Sequence, residues 1–247
     1  MMIRLFKQEF SFSWLGLGGY FLLMLGLCNL GVWQLSRSEE KAQLLARQEA
    51  ATHAEVIDLN RQAPLDSEAV RYQKVSATGH YDGEHQFLVD NQILEGKPGY
   101  FVLTPFLLDS GGAVLVNRGW LALGKDRTVF PDVSIKQPAQ HILGRINHFP
   151  AVGIKLKGAE IPTNTWPALV QIVDSEVLSA KLARQLYDFQ IELDADQVEG
   201  YQRLWKINTI ISPEKHIVYA VQWFGLALTL TALFFWKSSK KTSEHTA

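Results

Sequence analysis

Cysteine is nearly absent from this 247-residue chain. The single Cys28 excludes an intrachain disulfide, a CxxC redox pair, a CxxCH haem attachment and a cysteine-built zinc site. No sign of charge dominates: 24 Lys+Arg stand against 25 Asp+Glu, which leaves no basic excess for wrapping nucleic acid. GxSxG and HExxH are absent. His80 and His85 stand five apart and His141 and His148 seven apart; neither spacing is a compact ligand set, and both pairs read as surface histidines. Gly16-x-Gly18-Gly19 lies inside an apolar run and cannot be a phosphate loop. No carboxylate pair is singled out for acid–base work, so the chain is expected not to be an enzyme. The length allows one domain or two small ones, and a hydrophobic share of 47% is too high for disorder.

What is present is segregation. Ser13–Leu35 and Ile217–Trp236 contain no Asp, Glu, Lys or Arg. Each run covers roughly 30 Å as a helix, enough to cross the hydrocarbon core of a bilayer. The first run is longer than the apolar stretch of a signal peptide, and no A-x-A-like site follows it. Arg4 and Lys7 precede the first run, and Lys237, Lys240 and Lys241 follow the second. The positive-inside rule then places both termini in the cytoplasm. The expected order is a cytoplasmic tail (1–12), a transmembrane helix (13–35), a periplasmic domain (36–215), a second transmembrane helix (216–236) and a cytoplasmic tail (237–247). No Arg/Ser-rich presequence precedes Ser13, which favours a bacterial inner membrane.

The centre is expected to be a β-rich α+β domain of six or seven mostly antiparallel strands. Ser38–Thr52, rich in Glu, Gln, Lys, Ala and Leu, should continue the first helix; Asn60–Glu68 reads as a linker. Strands are expected at Tyr72–Val75, with turns at Gly79 and Asp82-Gly83, and at Gln86–Asp90, His141–Asn147 and Tyr187–Leu193. Gly99–Leu108 and Ala113–Trp120 form a hairpin around Asp109-Ser110-Gly111-Gly112. Asp174–Ala183 should be a short capped helix, and Arg203–Ile211 a last strand.

Polar groups inside membrane spans are costly and mark function by default. In the second span His216, Ala220, Trp223, Ala227 and Thr231 recur at helical spacing on one face, flanked by Tyr219, Gln222 and Leu226. The small Ala220 and Ala227 would let another helix approach, as would Gly19 and Gly26, seven apart on the first span. Asn29 and Gln222 should sit at similar depth, and a hydrogen bond between them is expected to dock the spans. His216 stands at the outer boundary. It reads either as an interfacial histidine bonded to water or headgroups, or as an axial ligand for haem, with Trp223, Phe224, Trp33 and Tyr219 as an aromatic surround.

Several motifs resemble those of the surfeit locus protein one family, which are cytochrome c oxidase assembly factors. Leu30-Gly31-Val32-Trp33-Gln34-Leu35-x-Arg37 is similar to the family's opening motif, and His216-x-x-Tyr219-Ala220-x-Gln222-Trp223-Phe224 to its closing one. Tyr72-x-x-Val75-x-x-x-Gly79-x-Tyr81, Gly99-Tyr100-x-Val102-x-Thr104-Pro105 and Val114-Leu115-Val116-Asn117-Arg118-Gly119-Trp120 resemble the strands between. Glu40-Lys41 stands where the family usually has Trp-Lys, and Glu214 where an Asn is common. The resemblance implies a role in equipping the oxidase's catalytic subunit with haem a, and contact with that subunit and with the haem a synthase. It carries onto His216 a role as haem a ligand. Arg118 beside Trp120 would hold a haem propionate or partner carboxylate, or else form a structural salt bridge; Gly99, Pro105 and Gly119 would shape strands and turns. Membrane lipid and a second copy of the chain are further expected partners; nucleic acid is not. The rival to haem handling is a protein-only chaperone that stabilises an immature oxidase subunit.

Overall fold

The computed structural model describes residues 2–5, 8–11, 13–61, 65–137, 140–150, 157–205 and 211–240. In chain order the elements are β1 (Met2–Leu5), β2 (Gln8–Ser11), α1 (Trp14–Thr52), β3 (Ile57–Asp58), β4 (Lys74–Tyr81), β5 (Phe87–Leu94), β6 (Lys97–Leu108), β7 (Ala113–Ala122), β8 (His141–Asn147), β9 (Ala168–Val170), α2 (Ser175–Leu182), β10 (Leu186–Leu193), α3 (Pro213–Ser238) and β11 (Ser239–Lys240). They fall into two compact units: Met1–Ala46 with Asn208–Ala247, and Arg47–Ile207.

In the first unit, α1 and α3 are long and apolar enough to cross a membrane. The 39 residues of α1 span ~58 Å, well beyond the hydrocarbon core. The helix starts where the Ser13 side chain accepts from the Gly16 N–H. It continues through Ser38–Thr52 because that stretch holds no Gly or Pro and carries helix-compatible pairs such as Arg37–Glu40 and Glu39–Gln43. In α3, Pro213 occupies the first turn, where a missing N–H costs nothing. The tails are not plain extensions: β1 and β2 form an antiparallel hairpin, and β11 adds to β2.

The second unit is built on one sheet, ordered β3-β4-β8-β10-β7-β6-β5-β9. An additional β4–β6 pairing closes the ring β4-β8-β10-β7-β6. Within the ring only β7–β10 is parallel. This is the ring order of an OB-type barrel. Gly79 was expected to mark a turn, but it lies inside β4 at the closure point, opposite Leu108. A Cβ there would run into the Leu107 carbonyl oxygen, so the two strands meet only because the residue has none. Even-numbered positions of β6 and β7 (Phe106, Leu108, Val114, Val116) face the barrel interior with Ile142, Ile146, Phe189 and Ile191.

Their odd-numbered neighbours face the other way and have a core of their own. Leu103, Ala113 and Leu115 pack beneath Phe87 and Val89 of β5, Ala168 and Val170 of β9, and Leu178 of α2. An OB-type barrel takes ligands on the outer face of its second and third strands, between the loops after its first and fourth. Here those loops carry β5, β9 and α2, pair with each other through β5–β9, and fill that face with the chain's own side chains.

Among the described residues this sheet has eight strands, where six or seven were expected. Helix α2 is where its capping pattern placed it: Asp174 accepts from the Glu176 and Val177 N–H groups, and Ala183 ends it in the left-handed conformation. The last strand expected at Arg203–Ile211 is not formed over its described part. Gln202 makes a single bridge with Trp120, while Arg203 and Trp205 donate to the carbonyls of Asp194, Gln197 and Leu193. Residues 206–210 lie outside the described residues.

Candidate functional site

The two long helices pair antiparallel along a stripe of α1 at 20, 31, 34 and 38. This heptad-like spacing keeps one face of a helix toward a partner. At one end the Ser38 hydroxyl donates to the Pro213 carbonyl at 2.9 Å. One turn along, His216 Nδ1 lies 2.6 Å from Gln34 Oε1. The Gly31 backbone then meets the Phe224 ring; a Cβ on Gly31 would come within 2.6 Å of it. Farther in, the Tyr20 and Thr231 hydroxyls are 3.1 Å apart, and the Tyr20 ring stacks on Phe234 at 4.4 Å. On α3 the same face buries His216, Ala220 and Ala227.

His216 is therefore a buried imidazole, 7% exposed, with one nitrogen held by the opposite helix. Among the described residues no hydrogen bond is recorded to its Nε2. Tyr219, Phe224 and Trp33 lie partly exposed around this end of the pair, Trp223 is half-buried, and the Arg37 guanidinium lies 5.9 Å from the Trp33 ring centroid. An imidazole with one nitrogen held by a second side chain, and no hydrogen bond to the other among the described residues, is a donor that suits a haem iron. The residues at this end thus fit such a group.

In the barrel, Arg118 is 1% exposed, and all three of its guanidinium nitrogens are hydrogen-bonded. Its Nη1 donates to Gln86 Oε1 (2.8 Å) and the Val133 carbonyl (2.9 Å), its Nε to the Glu199 carbonyl (2.6 Å), and its Nη2 pairs with the Glu199 carboxylate (3.3 Å). The guanidinium also lies 5.1 Å from the Tyr201 ring centroid. Close by, burial pushes the Tyr81 phenol well above its ordinary range. A second network joins Arg145 and Asn147 of β8 to Glu192 of β10, and Asn117 of β7 to Gln190 of β10. Sequence reasoning did not find this network. Its one signal was the alternation of Arg145 and Asn147 in β8 and of Asp188, Gln190 and Glu192 in β10.

A model of the SURF1 family matches residues 21–228, from inside α1 to inside α3, with His216 and Gln34 in the matched range. The chain belongs to the SURF1 family. SURF1-like proteins of Rickettsia bellii and Rickettsia felis are 27% and 29% identical to it, each over 84% of this chain and over 84% and 90% of their own lengths. The yeast protein named cytochrome oxidase assembly protein SHY1 is 36% identical over 105 residues, 42% of this chain and 26% of its own.

In this SURF1-family chain the expected Asn29–Gln222 hydrogen bond is not formed. Both side chains are exposed. Asn29 lies two residues from Gly31, and Gln222 two from Ala220, so each points roughly 200° away from the shared face. The polar joint is Gln34–His216 instead. Gly19 and Gly26 do not bring the helices together, since a Cβ on either would meet nothing within 4 Å; the close approach is at Gly31. Arg118 does not present a charge to a propionate or a partner carboxylate, because its guanidinium is buried and bonded at all three nitrogens inside the SURF1 barrel. Gly99 and Gly119 admit neighbours: a Cβ on Gly99 would strike the Trp120 ring, and one on Gly119 the Gln202 carbonyl. His85 pairs with Asp82 and packs on Trp166, and His148 pairs with Glu68. No group of three metal-ligating side chains is found among the described residues.

Proposed function

We propose that this SURF1-family protein serves the assembly of a haem-copper cytochrome c oxidase, and that it holds or positions haem a for the catalytic subunit through His216. One observation carries the finer part: an imidazole buried between two membrane-length helices, tied at Nδ1 to Gln34 and with no hydrogen bond to Nε2 among the described residues. Family membership and the name of the yeast relative support the coarser part.

In this reading α1 and α3 span a bacterial inner membrane, both termini are cytoplasmic, and residues 36–215 form the periplasmic domain. His216 then sits near the outer leaflet, at the depth where a haem can be passed between membrane proteins. When bound, haem a supplies an iron that accepts an imidazole lone pair. His216 donates that lone pair, and Tyr219, Trp33 and Trp223 offer aromatic surface beside it. The protein acts by holding and releasing, without turning over a substrate. Its partners are the oxidase catalytic subunit, the haem a synthase and membrane lipid. A second copy of the chain is a further proposed partner.

A protein-only chaperone is the second reading, favoured by the burial of His216 as a joint between helices. A visible spectrum separates the two. The full-length chain is purified in mild detergent from cells making haem a, beside His216→Ala. The first reading expects a haem a band in the wild type that is lost or shifted in the variant. A haem-free wild type from cells with an active synthase overturns it in favour of the chaperone.

A further inference from the structure

We infer that Gln34 is a positioning residue for His216: it selects the imidazole tautomer and so determines that Nε2, not Nδ1, is the nitrogen offered to a metal. The observation is the 2.6 Å contact between His216 Nδ1 and Gln34 Oε1. An amide oxygen only accepts, so Nδ1 carries the proton and donates it. In the neutral ring Nε2 is then the pyridine-type nitrogen with an available lone pair. A neutral histidine side chain in water favours the opposite tautomer, with the proton on Nε2 and a lone pair on Nδ1, the nitrogen nearest its own backbone. Left to itself, His216 would present the hindered nitrogen. The opposite helix reverses that preference.

Two consequences follow. The hydrogen bond transfers electron density into the ring and raises the donor strength of Nε2, as outer-shell partners of metal-bound histidines do. It also makes the ligand conditional on helix pairing. Gln34 belongs to α1 and His216 to α3, so only the closed pair holds the ligating tautomer. The neighbouring Ser38–Pro213 bond and the Gly31–Phe224 contact hold the helices without touching the ring. They supply the control for a purely structural role.

The tautomer part stands without haem; the ligand part rests on the function proposed for His216. The test uses the full-length chain in detergent, labelled with 15N-histidine, with the His216 resonances assigned by their loss in His216→Ala. The wild type should show a protonated Nδ1 and an unprotonated Nε2. Gln34→Leu should revert to the Nε2–H form, Gln34→Glu should keep the wild-type pattern, and Ser38→Ala should leave it unchanged. Titration with haem a should then show about 10- to 100-fold weaker binding for Gln34→Leu, little change for Ser38→Ala, and a more negative iron potential for Gln34→Glu. A wild-type spectrum already showing Nε2–H, or a Gln34→Leu variant with the wild-type tautomer, overturns the inference. So does an equal loss of haem in Gln34→Leu and Ser38→Ala, which would reduce Gln34 to a helix joint. Wild-type protein that shows the expected tautomer but takes up no haem a leaves the tautomer assignment standing and removes the ligand role.

Discussion

The barrel and the helical pair handle buried polarity in opposite ways. In the barrel, polar groups converge until every nitrogen of a charged side chain is hydrogen-bonded. Arg118 is satisfied by Gln86, Val133 and Glu199, and Gln86 by Gly83, Val133 and Thr104. In the helical pair, polar contacts between helices are few and single: Gln34–His216, Ser38–Pro213 and Tyr20–Thr231 among the described residues. The difference is the one expected if the helical pair lies in lipid, as proposed above, and the barrel in water. A domain in water gains from removing apolar surface, and must then satisfy whatever polar groups that burial traps. In the proposed membrane setting, two helices in lipid gain nothing from apolar contact as such, so shape and a few hydrogen bonds decide how they meet.

The largest expected effect is in the barrel. Arg118→Met should destabilise the domain by about 3–5 kcal/mol, because Glu199 is left buried without its cation. Urea unfolding followed by tryptophan fluorescence measures it; a loss under about 1 kcal/mol would put the network on a par with a surface ion pair. In the helical pair, Gly31→Leu forces the Phe224 ring aside and should cost about 1–3 kcal/mol by overpacking. Spin labels on the exposed Leu15 and Trp236 should then report a longer and broader distance between the helices; an unchanged distance would show that the Gly31 contact does not govern their approach. A smaller effect, about 0.6 kcal/mol, is expected for Tyr20→Phe, which removes the bond to Thr231 and keeps the stack on Phe234. The smallest is a null coupling. A double-mutant cycle of Asn29→Leu with Gln222→Leu should give an interaction energy near zero, while Gln34→Leu with His216→Leu should give about 0.6–1.7 kcal/mol. Reversed couplings would return the helix joint to the Asn29–Gln222 pair.

The zero expected for Asn29 and Gln222 shows where sequence reasoning failed. Depth along a helix follows from counting residues, and the two amides do lie at similar depth. Azimuth does not follow until the partner face is known, and both side chains are on the wrong side of their helices. Gly19 and Gly26 failed for the same reason: small residues permit close approach but do not choose the face that uses it. His216, Ala220 and Ala227 were legible because they repeat at helical spacing on a single helix. Gln34 was visible only as part of a motif, since its partner is 182 positions away. In the barrel, Asp174 announced α2 through local capping, and Asp109–Gly112 announced the β6–β7 hairpin. Gly79 misled, because a glycine that marks a turn and one that admits a neighbouring strand look alike in one dimension.

By itself the sequence determined the elements whose causes are local: two uncharged runs long enough to span a bilayer, a strand-rich centre, and the motifs of the SURF1 family. Hydropathy, capping and alternation act within a few residues, so they can be read in order along the chain. Only the tertiary structure decided that the strands close into a ring, that Arg118 is spent inside it, and that Gln34 meets His216. Each of these depends on which distant residues share a face. That is settled by packing across the whole chain and by the need of every buried polar group for a partner.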